Sequence, residues 1–201
     1  MNVLLINGSP NQFGCTYTAL NEVATTLNNI GIETEILYLG KEAIQGCIAC
    51  RKCKTLKKCI FNDMVNKVGE KLAEYDGIVL GSPVYYAGPT GQIISFLNRL
   101  FYSNSLKMAG KIGAAVVSCR RGGATFTFDA LNKYFSISNM PIATSQYWNQ
   151  VHGNSVEEVL KDEEGLQTMR TLGQNMAWLL EAINKKELPD YEERLETNFI
   201  K

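Results

Sequence analysis

The sequence predicts an α/β fold in which a five-stranded parallel sheet is covered by helices on both faces. Three observations support this prediction: short apolar runs alternate with amphipathic segments, two of the runs lead into the tripeptide Gly-Ser-Pro, and no run approaches the roughly 20 apolar residues of a membrane span. Strands that alternate with helices form right-handed crossovers, and five such strands fit the doubly wound order 2-1-3-4-5. We therefore expect a ligand beyond the carboxyl ends of the strands, between strands 1 and 3.

The first half of the chain contains three of the predicted strands. Residues 2–7 form a nearly continuous apolar run, which is typical of a strand buried on both faces. Apolar residues then recur at steps of three and four between Tyr17 and Ile30, and Gly31 ends this predicted helix. The next predicted elements are a strand at 32–39, a helix at 64–75 and a strand at 77–80.

The second half continues the alternation with amphipathic helices of regular spacing. Its long last helix carries apolar residues from Leu166 to Ile183. The predicted elements are a helix at 93–101, a strand at 111–118, a helix at 124–135, a weaker fifth strand at 140–145 and the last helix at 166–183.

Composition and charge narrow the class of protein. The chain has 201 residues, enough for one compact domain, and its 20 Lys and Arg offset its 20 Asp and Glu. This balance predicts neither nucleic-acid binding nor a basic membrane anchor, so we expect small molecules or proteins as partners. The start of the chain lacks the basic and apolar parts of a signal peptide, which predicts a cytoplasmic protein.

Within this single domain, spanning 1–201, we expect a cysteine-rich insertion at 46–63 and a polar tail at 187–201. The tail contains Tyr191, Leu195, Phe199 and Ile200, which would either wrap a partner subunit or fray.

The loop at 8–16 predicts a charge-neutral phosphate cradle. It lacks Lys and Arg, its glycines do not match a P-loop or a dinucleotide fingerprint, and Cys15 is followed by Asn21 where a phosphatase loop needs Arg. The remaining donors are backbone amides and polar side chains at the start of a helix, where the dipole favours an anion. They are the side chains of Ser9, Asn11 and Thr16 and the amides of Gly14, Cys15 and Thr16. The alternative is an ordinary turn capped by Thr16.

Two further loops follow the third and fourth strands. Tyr85 and Tyr86 would form a wall for a planar aromatic ring, although they would equally suit core tyrosines at a tight turn. In the loop that begins at Ser118, Gly122 and Gly123 allow a ligand to approach backbone donors closely.

Together with the segment 147–153, Tyr-Trp-Asn-Gln-Val-His-Gly, these loops resemble those of the NADPH-dependent FMN reductase family of flavodoxin-like proteins over residues 1 to about 183. The resemblance implies a flavodoxin-like three-layer sandwich, bound FMN and NAD(P)H as electron donor. This chain departs from the family at two positions: Asn11 stands where the family often has a basic residue, and Cys15 stands where it often has Asn. The implied FMN contacts are Ser9, Asn11, Cys15 and Thr16 at the phosphate, Pro83, Val84, Tyr85 and Tyr86 at the ring, and further contacts at Ser118, Gly122 and Gly123.

Four of the six cysteines lie close together, at Cys47, Cys50, Cys53 and Cys59, while Cys15 stands apart from them. Thiolates at successive three-residue intervals suit one iron–sulfur cubane better than a zinc site, which usually has two separated Cys-x2-Cys pairs. This compact spacing resembles that of the iron–sulfur flavoproteins of the same superfamily and implies a 4Fe-4S cluster. A redox-sensitive loop without a cluster is the alternative.

Three functional hypotheses follow. The first is an NAD(P)H-dependent FMN reductase acting on flavin, quinone or a similar small acceptor, with Tyr86 and His152 as catalytic residues and His152 as proton source. The second is an iron–sulfur flavoprotein that receives electrons from a ferredoxin-like protein at the basic segment 51–58. The third is a non-enzymatic thiol or flavin redox sensor. The family resemblance also implies a homodimer or homotetramer.

Overall fold

The computed structural model describes residues 1–183, 186–193, 195 and 197. It contains a five-stranded parallel sheet in the order β2-β1-β3-β4-β5, which confirms the predicted flavodoxin-like fold class. The strands are β1 (Asn2–Asn7), β2 (Glu33–Tyr38), β3 (Gly77–Pro83), β4 (Ile112–Cys119) and β5 (Gln150–His152).

Helices cover both faces of this sheet. The longer ones are α1 (Cys15–Asn29), α3 (Met64–Lys71), α4 (Gly91–Ser103), α5 (Ala124–Ile137) and α7 (Glu163–Ile183); the one-turn helices are α2 (Cys53–Leu56) and α6 (Val156–Val159). Two further turns, Leu72–Glu74 and Ser105–Lys107, are 3-10 helices. None of the helices in the described part of the chain combines the length and apolar character needed to cross a membrane.

The continuous apolar runs of the strands supply two cores. Successive side chains of a strand point to opposite faces, so Leu4 and Ile6 pack with α3, α4 and α5, whereas Val3 and Leu5 pack with α1 and α7. All four side chains are buried. The sheet is thus the middle layer of a three-layer sandwich, and its functional loops lie at the carboxyl edge.

The prediction of the fifth strand at 140–145 is wrong. That segment pairs with the sheet through a single isolated bridge. There Gly113 donates to the carbonyl of Pro141 and accepts from the amide of Ala143, both at 2.8 Å. The chain then leaves the sheet and returns as β5, which pairs with the carboxyl end of β4. The third strand also runs further than predicted, so that its Gly-Ser-Pro belongs to the strand.

The described part of the tail has no regular secondary structure. Its Leu188 lies against Gly110 at the amino edge of the sheet. Phe199 and Ile200, which we expected to wrap a partner or fray, lie outside the described residues.

Candidate functional site

The loop between β1 and α1 is organised by the buried side chain of Asn7. Its amide nitrogen donates to the carbonyl of Gln12 at 3.0 Å, and its oxygen accepts from the amide of Ser9 at 3.0 Å. The hydroxyl of Ser9 in turn accepts from the amide of Asn11 at 3.1 Å. The loop is therefore preorganised by its own polar groups, without a charged side chain.

The first turn of α1 offers backbone amides that helix geometry leaves without intrahelical partners. Its N-cap, Gly14, has no side chain to accept from them, and no acidic residue lies in this turn. Thr16 is 0% exposed and lies beneath the loop, where its hydroxyl is 2.9 Å from that of Ser118. The half-buried Cys15 contacts the carbonyl of Gly153 at 3.8 Å, and burial raises the pKa of its thiol.

The first and second loops are joined through Thr90. Its hydroxyl donates to the carbonyl of Gly8 at 2.7 Å and accepts from the amide of Ile93 at 3.3 Å, so it also caps α4. Its amide donates to the hydroxyl of Ser82 at 3.1 Å. Since Gly8 also donates to the carbonyl of Gly81 at 2.9 Å, the two loops form one edge of the site.

The second loop projects two aromatic rings into solvent. The amide of Tyr85 donates to the carbonyl of Gly88 at 2.7 Å, which closes a tight turn around Tyr86. Tyr86 has a φ of +61° and is 105% exposed, so neither tyrosine belongs to the core. Pro83 and Val84 are half-buried beside them. A large exposed aromatic side chain in the left-handed region indicates a binding surface more than a packing role.

The third loop packs against the second at a glycine. Gly123 has a φ of +87°, and a Cβ atom there would lie 2.8 Å from Cγ1 of Val84. Gly122 is exposed and has open space around it. The amide of Val84 donates to the carbonyl of Ser118 at 2.8 Å. Gly123 is therefore required for the close approach of these two loops.

His152 lies at the carboxyl end of β5, next to Cys119 of β4. Its Nδ1 atom is 3.5 Å from Oδ2 of Asp162, which also accepts from the His152 amide at 2.6 Å. The imidazole is partly exposed, whereas the Cys119 thiol is buried and burial raises its pKa. A carboxylate placed in this way orients the imidazole ring.

The cysteine segment folds over α4 and forms a separate pocket, at whose edge Ile48 is exposed. All six cysteines of the chain are free thiols, and four of them line this pocket: Cys47, Cys50, Cys53 and Cys59. Within the described residues, no three His, Cys, Asp or Glu side chains converge closely enough for a single metal ion. A cubane differs from a single ion because each thiolate binds its own iron at a separate corner. Four free thiols around one pocket are the type of ligand that holds such a cluster.

Positive charge surrounds these thiols. Arg51, Lys52, Lys54, Lys57 and Lys58 are all exposed around the pocket or on the segment next to it. Inside it, Nε of the buried Arg99 donates to the sulfur of Cys59 at 3.2 Å, and the guanidinium pairs with Asp63 at 2.7 Å. Burial lowers the pKa of Arg99, but its hydrogen bonds to Asp63 and Cys59 outweigh that effect and raise the pKa overall.

Helix α4 connects the two candidate sites. It begins after Thr90 in the second loop, and Arg99, Tyr102 and Ser103 at its far end line the cysteine pocket. A continuous helix is a rigid element, so the end of the second loop and the cysteine pocket have a fixed separation.

Sequence reasoning missed several residues that shape these sites. Arg99 interrupts an otherwise apolar helix stripe, which was a detectable signal. Thr90 stands directly before a helix, which is the pattern of an N-cap. Asn7 accepts from the amide two positions on, as in an Asx turn, which was a local signal. Asp162 acts on His152, ten positions away, and no local pattern indicates that contact.

Known protein families resemble this chain in sequence. The sequence model for NADPH-dependent FMN reductases matches residues 1–154, which include all three loops and the four cysteines. An iron–sulfur flavoprotein of Methanocaldococcus jannaschii is 33% identical over 196 residues, covering 92% of this chain and 100% of the relative. An iron–sulfur flavoprotein of Methanosarcina thermophila is 25% identical over 190 residues, covering 92% of this chain and 98% of the relative.

Solved structures share the fold at low sequence identity. RosB with a bound 8-demethyl-8-formylriboflavin-5'-phosphate intermediate superposes with a TM-score of 0.77 at 13% identity, covering 99% of this chain and 92% of RosB. An apo NADH:FMN oxidoreductase has a TM-score of 0.65 at 14% identity, covering 92% of this chain and 91% of the oxidoreductase. The family match covers most of the chain, and it agrees with the flavodoxin-like fold that these structures share with this chain. This chain belongs to the NADPH-dependent FMN reductase family, in the branch of its iron–sulfur flavoprotein relatives.

Proposed function

We propose that this chain is an FMN-dependent oxidoreductase that also carries a 4Fe-4S cluster and passes electrons between a reduced donor and a small acceptor. The observation that carries the proposal is the presence of two candidate sites that helix α4 connects. One is a neutral set of loops at the switch point of the sheet, and the other is a pocket lined by four free thiols. The bound flavin would supply the one- and two-electron transfer chemistry, and the protein would supply its position and electrostatics.

The FMN phosphate would lie against the first turn of α1. The free amides there and the helix dipole favour an anion, and the self-bonded loop around Asn7 holds Ser9 and Asn11 in place. The exposed rings of Tyr85 and Tyr86 would offer apolar surface to the flavin ring. Ser118 would border the ring from the third loop, together with Gly122 and Gly123.

The cluster would be held by Cys47, Cys50, Cys53 and Cys59. Support comes from their shared pocket and from relatives that are named iron–sulfur flavoproteins. The positive side chains around the pocket would offset the negative charge of thiolate ligands.

Two electron donors are supported by different observations. The family description favours NADPH or NADH, and the exposed basic segment 51–58 favours an acidic ferredoxin-like protein. Mixing the holoprotein anaerobically with NADPH, with NADH and with reduced ferredoxin separates them, because the competent donor bleaches the flavin absorbance. Transfer from ferredoxin at a rate insensitive to salt would count against docking at the basic segment.

The cofactors themselves are tested by an anaerobic visible spectrum with iron and acid-labile sulfide analysis. We expect FMN together with iron and sulfide in equal amounts. Loss of iron in Cys50→Ser, with iron retained in Cys119→Ala as the matched control, would support ligation by the pocket cysteines. A colourless protein that cannot be reconstituted with FMN would refute the flavin assignment.

Three further predictions concern the assembly, location and class of the protein. A homodimer or homotetramer would cover the exposed aromatic rings of the second loop. Sedimentation of the holoprotein measures its oligomeric state. The cytoplasmic location stays a prediction. A thiol or flavin redox sensor would show reversible cysteine oxidation without turnover, which a thiol titration beside a turnover assay detects.

A further inference from the structure

Arg99 occupies an unusual position for a charged side chain. It is 1% exposed and lies on the face of α4 that also carries Phe96 and Leu100, both completely buried. A buried charge is costly unless it is paired and hydrogen-bonded. The partners of Arg99 therefore reveal what this position accomplishes.

Its first partner is Asp63, which it engages through both terminal nitrogens at 2.7 and 2.8 Å. This two-point geometry fixes the plane of the guanidinium. Asp63 also accepts from the amide of Val65 at 3.1 Å and so caps α3. The terminal nitrogens also donate to the carbonyls of Gln45 at 3.1 Å and of Phe61 at 3.5 Å. Phe61 packs its ring 4.9 Å from the guanidinium carbon.

The third nitrogen of Arg99, Nε, donates to the sulfur of Cys59 at 3.2 Å. The backbone of Cys59 is fixed independently by the buried side chain of Asn66, which bonds its amide and its carbonyl, each at 2.9 Å. Cys59 is thus held at its backbone and at its sulfur. Cys47 and Cys50, by contrast, are exposed.

We propose that Arg99 is a positioning residue for Cys59, whose sulfur it holds at the wall of the cysteine pocket and from which it withdraws electron density. The inference rests on the proposed cluster site. Hydrogen bonds to ligating sulfurs and net local charge are among the factors that set the reduction potential of an iron–sulfur centre. A cluster bound here therefore loses iron slowly and is reduced at a higher potential than it would be without this bond.

The test variant is the double substitution Arg99→Met and Asp63→Asn. It removes the donor without leaving a buried carboxylate unpaired, and Asn still caps α3. Arg99→Lys is the second variant, because it keeps a cation beside Asp63 but lacks the planar fork. Lys71→Met is the matched control, since it removes an exposed cation from the last turn of α3, outside the pocket.

Each reconstituted protein is assayed for iron release to a chelator and for its midpoint potential, by redox titration followed by electron paramagnetic resonance. We expect both Arg99 variants to release iron about tenfold faster than the wild type and to have a lower potential. The Lys71→Met protein should change far less in both measurements. Equal shifts in Lys71→Met and in the Arg99 variants, or wild-type behaviour of the Arg99 variants, would overturn the inference.

Failure of the cluster proposal is distinguishable. If the wild-type chain holds no iron or sulfide after anaerobic reconstitution, the proposed cofactor is wrong. Side-chain coupling constants of Cys59 in the cluster-free protein, measured by NMR, then test the positioning role alone. Averaging of the Cys59 χ1 angle over several rotamers in both Arg99 variants supports that role, and a single unchanged rotamer refutes it.

Discussion

The hydroxyl oxygens of Thr16 and Ser118 lie 2.9 Å apart and connect the first turn of α1 to the end of β4. Both side chains are buried. Because Ser118 begins the third loop and Thr16 lies under the first, this bond ties the two loops together at the carboxyl edge of the sheet.

Replacement of Thr16 by Val should weaken FMN binding about tenfold. The substitution keeps the shape of the side chain but leaves the buried Ser118 hydroxyl without this partner, at a cost of roughly 1–3 kcal/mol. Fluorescence titration of the apoprotein with FMN measures the dissociation constant. Thr18→Val is the control, because its hydroxyl bonds only the Gly14 carbonyl at 3.2 Å. An unchanged dissociation constant in the Thr16 variant would contradict a role in the cradle.

Gly123→Ala should lower the free energy of unfolding by about 1–2 kcal/mol and reduce FMN affinity, whereas Gly122→Ala should leave the free energy of unfolding nearly unchanged. Gly123 has a φ of +87° and no room for a Cβ atom beside Val84; Gly122 has open space. Urea denaturation and FMN titration of both variants provide the comparison. Equal effects of the two substitutions would show that the contact between loops two and three is unimportant.

His152→Gln should slow reduction of a proton-requiring acceptor such as a quinone by about a hundredfold, while leaving reduction of ferricyanide unaffected. The imidazole faces the Asp162 carboxylate at 3.5 Å, which suits a group that delivers a proton. Stopped-flow experiments on the same prereduced protein measure the rate at which each of the two acceptors oxidises it. A parallel loss with both acceptors would indicate a structural role for His152.

Alkylation of Cys15 and Cys119 should become fast only above the pH at which an ordinary thiol ionises. Burial raises the pKa of both thiols, and a raised pKa keeps a thiol protonated, hence unreactive, at a pH where a free cysteine is already thiolate. Mass spectrometry after brief iodoacetamide treatment over a pH series measures the rates. Rapid labelling of Cys119 near neutral pH would contradict a raised pKa of this thiol.

The sheet was predictable because its strands are buried on both faces. Residues 2–7 form one apolar run that ends before a glycine, and β1 has those bounds. The fifth strand was not predictable. Its three residues, Gln150–His152, contain only Val151 as an apolar residue, so no period of two exists, and pairing with the end of β4 decides its place. The more apolar 140–145 segment carries the stronger signal but makes only a bridge.

The loops of the candidate site were found from composition, but their internal bonding was not. The Asx turn from Asn7 to Ser9 was within reach of a local pattern, but the bond from the Asn7 side chain to the carbonyl of Gln12 depends on the path of the whole loop. Arg99 and Cys59 are 40 positions apart, and only the packing of the cysteine segment on α4 brings them together.

Helix α4 has one more implication. Arg99 is eight positions after Gly91, so about 12 Å of helix separates the second loop from the wall of the cysteine pocket, at 1.5 Å per residue. A helix resists both stretching and bending. It therefore fixes the distance between these two parts of the chain, whatever moves around them.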